Sequence, residues 1–180
     1  MIVAETQRLV IRRFVPADID SLAPILADPE VMRFSVKGPL DVDETREMIG
    51  RARAAYREHG FGRWALLDKV SAKFIGFCGV YFLTVDGVEE PEIGYRLARS
   101  SWGRGLATEA AIACRDVAVE RYGLERLIAV IEPENTASIR VAEKAGFRVE
   151  RTTTYKGLAV DIYAWESPSV ASPVDPGAAL

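Results

Sequence analysis

Histidine and cysteine are scarce in this chain: 180 residues hold one His and two Cys. A structural zinc site needs several such ligands at short spacing, so no metal is expected. Cys78 and Cys114 stand in apolar stretches far apart in sequence. They read as reduced core thiols, because a thiol nucleophile wants a nearby base and His59 is the single histidine. Long apolar runs are missing as well. No stretch approaches the ~20 residues of a membrane span, and the opening Met-Ile-Val-Ala-Glu-Thr-Gln-Arg has no apolar signal core. A cytoplasmic protein with no membrane partner is expected. Charge of one sign is also lacking: a net charge of -3 gives no bulk attraction for nucleic acid. Neither an internal repeat nor an interdomain linker is visible.

What is present is enough apolar material for one core, 49% hydrophobic against 27% charged. One domain over residues 1–166 is expected. Residues 167–180, with three prolines among Ser, Gly and Ala, read as a tail. Within the domain, 7–14 reads as a strand with Leu9 and Ile11 on one side. Pro16 to Asp28 reads as a helix with an Ile19, Leu22, Ile25, Leu26 stripe, stopped by Pro29. A second helix runs from about Asp43 to His59. Three aromatic and β-branched runs, 61–68, 74–83 and 92–98, have the turn spacing of an antiparallel meander. A long helix from Gly105 to Tyr122 ends at Gly123. Then come an apolar central strand at 126–131, a short helix at 136–145, and a last hairpin of 147–154 and 160–165. The order β-α-α-β-β-β-α-β-α-β-β is a mixed α/β arrangement.

Gly103 and Gly105 stand just before the long helix. Glycines there let backbone approach a ligand closely, and the first amides of a helix are natural phosphate ligands. Thr108 can add a hydroxyl, and Arg99 and Arg104 would make the mouth basic. Two other phosphate sites are disfavoured. The Gly-Lys-Ser/Thr ending of a nucleotide-hydrolysing loop is absent. A dinucleotide fingerprint needs its glycine turn tight after a strand in a βαβ unit, whereas Ala98 to Trp102 intervene here and a meander precedes.

Four segments, in order and at their spacing, resemble the GNAT superfamily of acetyl-CoA-dependent N-acetyltransferases. They are Thr6-Gln7-Arg8-Leu9-Val10-Ile11-Arg12, Glu92-Ile93-Gly94-Tyr95-Arg96-Leu97, Trp102-Gly103-Arg104-Gly105-Leu106-Ala107-Thr108-Glu109-Ala110, and the run from Asn135 to Phe147. The branch they resemble most contains the ribosomal-protein N-terminal alanine acetyltransferases. Trp102 stands where the wider family has Gln or Arg, as is common in that branch. The resemblance implies a GNAT-like fold: a strongly twisted mixed sheet with helices on both faces, and acetyl-CoA where central parallel strands splay. It implies that the amides of Gly103, Arg104, Gly105, Leu106, Ala107 and Thr108, beside Trp102, cradle the pyrophosphate. The strand edge at Tyr95, Arg96 and Leu97 would pair with the pantetheine arm, and Asn135 would hydrogen-bond the cosubstrate. It leaves room for a homodimer.

An amine is protonated at neutral pH, so transfer needs a base and a proton for the departing thiolate. By resemblance the base is Glu92, at the start of the strand that carries the acetyl group, its pKa raised by burial beside Tyr95 and Trp102. The family's usual Tyr acid, seven positions after the Asn, is here Ala142. Ser138, one helical turn from Asn135, is the substitute expected at the thioester, with Tyr155 and Tyr163 behind it. His59 is expected to end a helix. The expected acceptor is a protein N-terminal α-amine; the alternatives are a small-molecule amine (polyamine, amino acid or aminoglycoside) or a non-catalytic acyl-CoA-binding module. A polycationic acceptor would want acidic walls, for which Asp41, Asp43, Glu44, Glu89 and Glu90 are candidates.

Overall fold

A computed structural model describes residues 1–168; all of the expected tail but Ser167 and Pro168 lies outside the described residues. Eight strands form one sheet in the order β1-β2-β3-β4-β5-β6-β8-β7. The strands are β1 (Ile2–Glu5), β2 (Leu9–Arg12), β3 (Arg63–Asp68), β4 (Phe74–Val85), β5 (Val88–Leu97), β6 (Arg126–Ile131), β7 (Arg148–Tyr155) and β8 (Leu158–Glu166). The helices are α1 (Ile19–Leu26), α2 (Val42–Glu58), α3 (Leu106–Tyr122) and α4 (Thr136–Lys144). The mixed α/β order and the β3-β4-β5 meander read from the sequence are both present.

Three elements differ from the sequence reading, each for a local reason. The strand expected at 7–14 shortens to β2, and a strand that was not expected, β1, precedes it, because Thr6 to Arg8 turn the chain so that β1 pairs antiparallel with β2. Leu9 and Ile11 do share the buried side, both at 0% exposure. The helix expected from Pro16 starts as a 3-10 turn at Pro16–Asp18, where Asp18 takes a bidentate pair of bonds from Arg12, each 2.7 Å. The third difference matters most. β5 begins at Val88, not at Glu92, and runs straight through Pro91, which stands opposite Phe82 of β4. Proline usually marks a strand edge or start, which is why the sequence places the boundary after it. Glu92 is therefore a mid-strand residue.

Position in the sheet follows from this. β5 pairs with β4 along its whole length, Val85↔Val88 through Gly76↔Leu97. On its other side it runs parallel to β6, and among the described residues only Glu92 and Ile128 are in register there. Beyond Glu92 the two strands diverge. α3 makes the crossover between them and packs its Ala110, Ala111, Cys114, Ala118 face on β4 and β5. The small residues on that face let the helix lie close to the sheet. Among the described residues no helix is long and apolar enough to cross a membrane.

Candidate active site

The starts of α2, α3 and α4 differ in what satisfies their first amides. Asp41 caps α2 in a reciprocal box with Glu44, and the Asn135 Oδ1 caps α4 by accepting from the Ser138 amide at 3.2 Å. At α3 the cap position is Gly105, left-handed at φ 75°, which has no side chain to offer. Gly103 is also left-handed, at φ 71°. The result is six consecutive amides, Gly103 to Thr108, that donate to no acceptor among the described residues. At the N-terminus of a 17-residue helix these amides form an anion cradle. The Trp102 indole holds the loop to the strand by donating to the Leu97 carbonyl at 2.8 Å.

The cradle opens on a cavity of about 630 Å³ between the end of β5, the cradle and α4. Tyr95, Arg96 and Leu97 line it from β5; Trp102, Gly103, Gly105, Leu106, Ala107 and Thr108 from the cradle; Asn135 and Ser138 from α4. Of the residues expected at the cosubstrate, only Arg104 does not line it: its side chain turns to Asp68, 3.2 Å away. Arg99 also faces elsewhere, toward Asp28. The cavity's basic residues are instead Arg33, Arg96, Arg140 and Lys144, which the sequence did not single out. The cradle, the open strand edge and these cations fit a long phosphorylated thioester such as acetyl-CoA.

A second cavity, also about 630 Å³, lies between α2, β4 and the β7-β8 hairpin. Phe34, Tyr95, Arg96, Asn135 and Ser138 belong to both cavities, so the two meet where β5 and β6 part. Glu92 lines the second one, 7% exposed. Burial pushes its pKa up to about 7, against the opposing pull of the Tyr81 hydroxyl and of the Arg63 and Arg96 charges. Tyr95 and Trp102, the neighbours expected from sequence, are not the cause. Tyr95 points to the other side of β5, where its hydroxyl donates to the Ser138 carbonyl at 3.3 Å. Glu92 stands directly opposite Tyr81 on β4. A Cβ at Gly94 would come within 3.1 Å of the Tyr81 ring and 3.3 Å of Glu92 Oε2, so glycine there keeps the two side chains together. Glu92 Oε2 is buried with no hydrogen-bond partner among the described residues. An orphaned carboxylate oxygen with a pKa near neutrality is a suitable proton acceptor.

Ser138 sits at the junction, its amide on Asn135 and its carbonyl under Tyr95. Ala142, in the place of the usual Tyr, is 4% exposed in the core and lines neither cavity. Tyr155 lines the second cavity; Tyr163 is core. His59 caps the C-terminus of α2, as expected, and also lines the second cavity, edge-on to Phe82. The candidate acidic walls do not form: Asp41, Asp43, Glu44, Glu89 and Glu90 line neither cavity. Glu44 pairs with Lys37, Asp43 with Arg46, and Glu90 with Arg126 and Arg151. Cys78 and Cys114 are buried and also line neither cavity.

Residues 8–148 match the family model of the acetyltransferase (GNAT) domain. The chain belongs to the GNAT acetyltransferases. The uncharacterised protein YkkB of Bacillus subtilis is 34% identical over 90% of this chain and 94% of its own length. The uncharacterised N-acetyltransferase p20 of Bacillus licheniformis is 32% identical over 88% and 91%. The acetyltransferase of Agrobacterium tumefaciens superposes with a TM-score of 0.79 at 27% identity, covering 91% of this chain and 94% of that one. At lower identity the fold alone is shared with both acceptor types. RimL, a ribosomal L7/L12 α-N-protein acetyltransferase in complex with coenzyme A, has TM-score 0.75 at 20% identity, over 93% and 98%. The aminoglycoside acetyltransferase AAC(6')-Ib, also in complex with coenzyme A, has 0.73 at 18%, over 88% and 94%.

In this GNAT acetyltransferase the opening Thr-x-Arg segment has a role that sequence reasoning did not reach. Arg8 donates to the Arg104 carbonyl at 2.7 Å and pairs with Glu109 in the first turn of α3, while Thr6 donates to the same carboxylate. The N-terminal turn thus braces the cradle from outside and neutralises Glu109 beside it. Arg63 and Tyr81 were missed as well. Their only signal is a pair of mid-strand glycines, Gly79 and Gly94, that come into register with Arg63 in the folded sheet.

Proposed function

We propose that this chain moves acetyl from acetyl-CoA directly to a primary α-amine, with Glu92 as the base. The observation that carries the reading is the connection between two cavities: one holds six unpartnered amides, the other a buried carboxylate with an unpartnered oxygen. The cradle would take the pyrophosphate and the β5 edge the pantetheine arm, with Asn135 beside it. Bound acetyl-CoA supplies the activated acyl carbon. Glu92 takes the proton that the attacking ammonium must lose, directly or through water. The new C–N bond forms as the C–S bond breaks, and the thiolate leaves with a proton. Ser138, the α4 hydroxyl residue that lines both cavities, would donate to the thioester oxygen or the leaving sulfur. A chain-terminal α-amine and a free amino acid both satisfy this chemistry. The polycationic acceptors lose their support with the acidic walls.

The test is release of free thiol from acetyl-CoA with a panel of N-terminal peptides, amino acids and polyamines. α-Amines should turn over. Ser138→Ala should lower the rate by roughly tenfold, the effect of losing ~1 kcal/mol or somewhat more of transition-state hydrogen bonding, with little change in Tm. A protein that binds acetyl-CoA tightly and acetylates no amine would be an acyl-CoA-binding module instead.

A further inference from the structure

The chemistry of the second cavity says more about the acceptor. Its ionisable lining is mostly basic: Lys37, Arg51, His59, Arg63, Arg96 and Lys156, against Glu92 and Glu132. Lys37 and Arg51 are matched by acids on their own surface, Glu44 and Glu47. The two arginines at the bottom are not. Neither Arg63 nor Arg96 makes an ion pair with a carboxylate among the described residues. Arg96 donates to the carbonyls of Tyr95 and Phe34, at 2.8 and 3.4 Å, and keeps further N–H groups. The Arg63 guanidinium lies over the Tyr81 ring, 3.8 Å from its centroid, and 5.6 Å from that of Phe77.

Four buried side-chain atoms lack a hydrogen-bond partner among the described residues, and two of them belong to residues that line this cavity: Arg63 Nε and Glu92 Oε2, with the Tyr81 hydroxyl close enough to act on both side chains. One is a donor on a cation and the other an acceptor on an acid. Their residues are near enough for the Arg63 charge to act on Glu92. Leaving either atom dry and unpaired is costly. A ligand that satisfies both, and also balances the guanidinium charges, carries an amine and, a few bonds away, an anion.

On the reading that this cavity admits the acceptor amine, we infer that the acceptor is zwitterionic, its amine at Glu92 and a carboxylate on the same molecule held by Arg63 with Arg96. The guanidinium fork matches a carboxylate in two places, and stacking on Tyr81 fixes its plane. The smallest molecule of this class is a free amino acid. A peptide whose first side chain is acidic presents the same pair of charges at larger separation.

Matched acceptors test this on the intact enzyme. Initial rates of thiol release are compared for free L-amino acids and for their carboxamides. The amide leaves its amine less basic and more often unprotonated at neutral pH, so intrinsic reactivity favours the amide. The acids should nevertheless win in kcat/KM by roughly tenfold or more, the discrimination expected when a buried charged donor is left unpaired. Arg63→Gln should bring the ratio toward one, and Arg63→Lys should keep part of it, which separates recognition from damage to the fold. Peptides beginning with Glu and with Gln identify the source: a preference for Glu over Gln that exceeds the acid-to-amide ratio would give the carboxylate to a side chain. Amides that match or outrun their acids would overturn the inference while leaving acetyl transfer intact, and so would an acid-to-amide ratio unchanged in Arg63→Gln. Turnover of neither set, with acetyl-CoA bound, would overturn the transfer reading on which it rests.

Discussion

Glu92 draws its properties from two neighbours that no local pattern reveals. Tyr81 meets it across β4 and β5, and Arg63 reaches it from β3. Its raised pKa has two consequences of opposite use. In activity, only the carboxylate can accept a proton, so kcat/KM should rise with pH through about 7. Glu92→Gln should lose that acidic limb and about 10²- to 10⁴-fold in kcat, the usual worth of a general base, while acetyl-CoA affinity changes little. In stability the sign is reversed. A folded pKa of about 7 against the ordinary 4.5 means that the native state binds the extra proton between those values. The stability contributed by this group is full below the lower value and is lost as pH rises through the higher one. Chemical denaturation of Glu92→Gln across this range should therefore show a variant that gains on the wild type as pH increases. A wild-type rate profile in the variant would make Glu92 structural.

At the scale of elements, the long periodic or alternating segments were legible and the joints were not. α2, α3, α4 and the meander appear where their apolar spacing puts them. The misjudged boundaries, at Thr6 to Arg8 and at Pro91, are places where tertiary pairing overrides a local turn or breaker signal. The cradle was legible because it is a local device: two glycines and a helix start lie within one short segment. Its brace was not, since Arg8 and Glu109 are 101 residues apart. The base could be named from its motif, but its partners lie on other strands and become neighbours only through register. The geometry of α3 makes a sharp prediction. Gly105→Glu adds a negative charge beside the six amides, at a residue whose φ is left-handed and whose Cβ would lie 3.6 Å from the Arg8 guanidinium that braces the cradle. The backbone strain costs about 1 kcal/mol and should leave the fold standing, whereas calorimetric affinity for acetyl-CoA should collapse. Unchanged affinity would move the pyrophosphate elsewhere.

For the whole molecule, the useful fact is what lies at the meeting of the cavities. Both cysteines are buried in the core, away from it. Among the described residues, the groups at the junction are a phenylalanine, a tyrosine, an arginine, an asparagine and a serine, with no thiol to carry an acetyl group. Direct transfer, as proposed above, requires both substrates to be present together. Double-reciprocal plots of rate against one substrate at fixed levels of the other should intersect, and the parallel lines of a covalent acetyl-enzyme would contradict direct transfer. Cys78→Ser and Cys114→Ser should affect stability more than turnover.

The single register pair between β5 and β6 has a physiological side. Two blocks of sheet share one rung there, and the cradle cavity lies between the end of β5 in one block and α4, which follows β6 in the other, so a molecule bound there is also a fastener between them. Whatever binds only the folded form stabilises it by mass action, about 2.7 kcal/mol when present at a hundredfold excess over its Kd. Abundance of this enzyme in a cell would then track the supply of its thioester. In acetyl-starved cells the protein would turn over faster, and lesions of the cradle would look like folding defects only in well-fed ones.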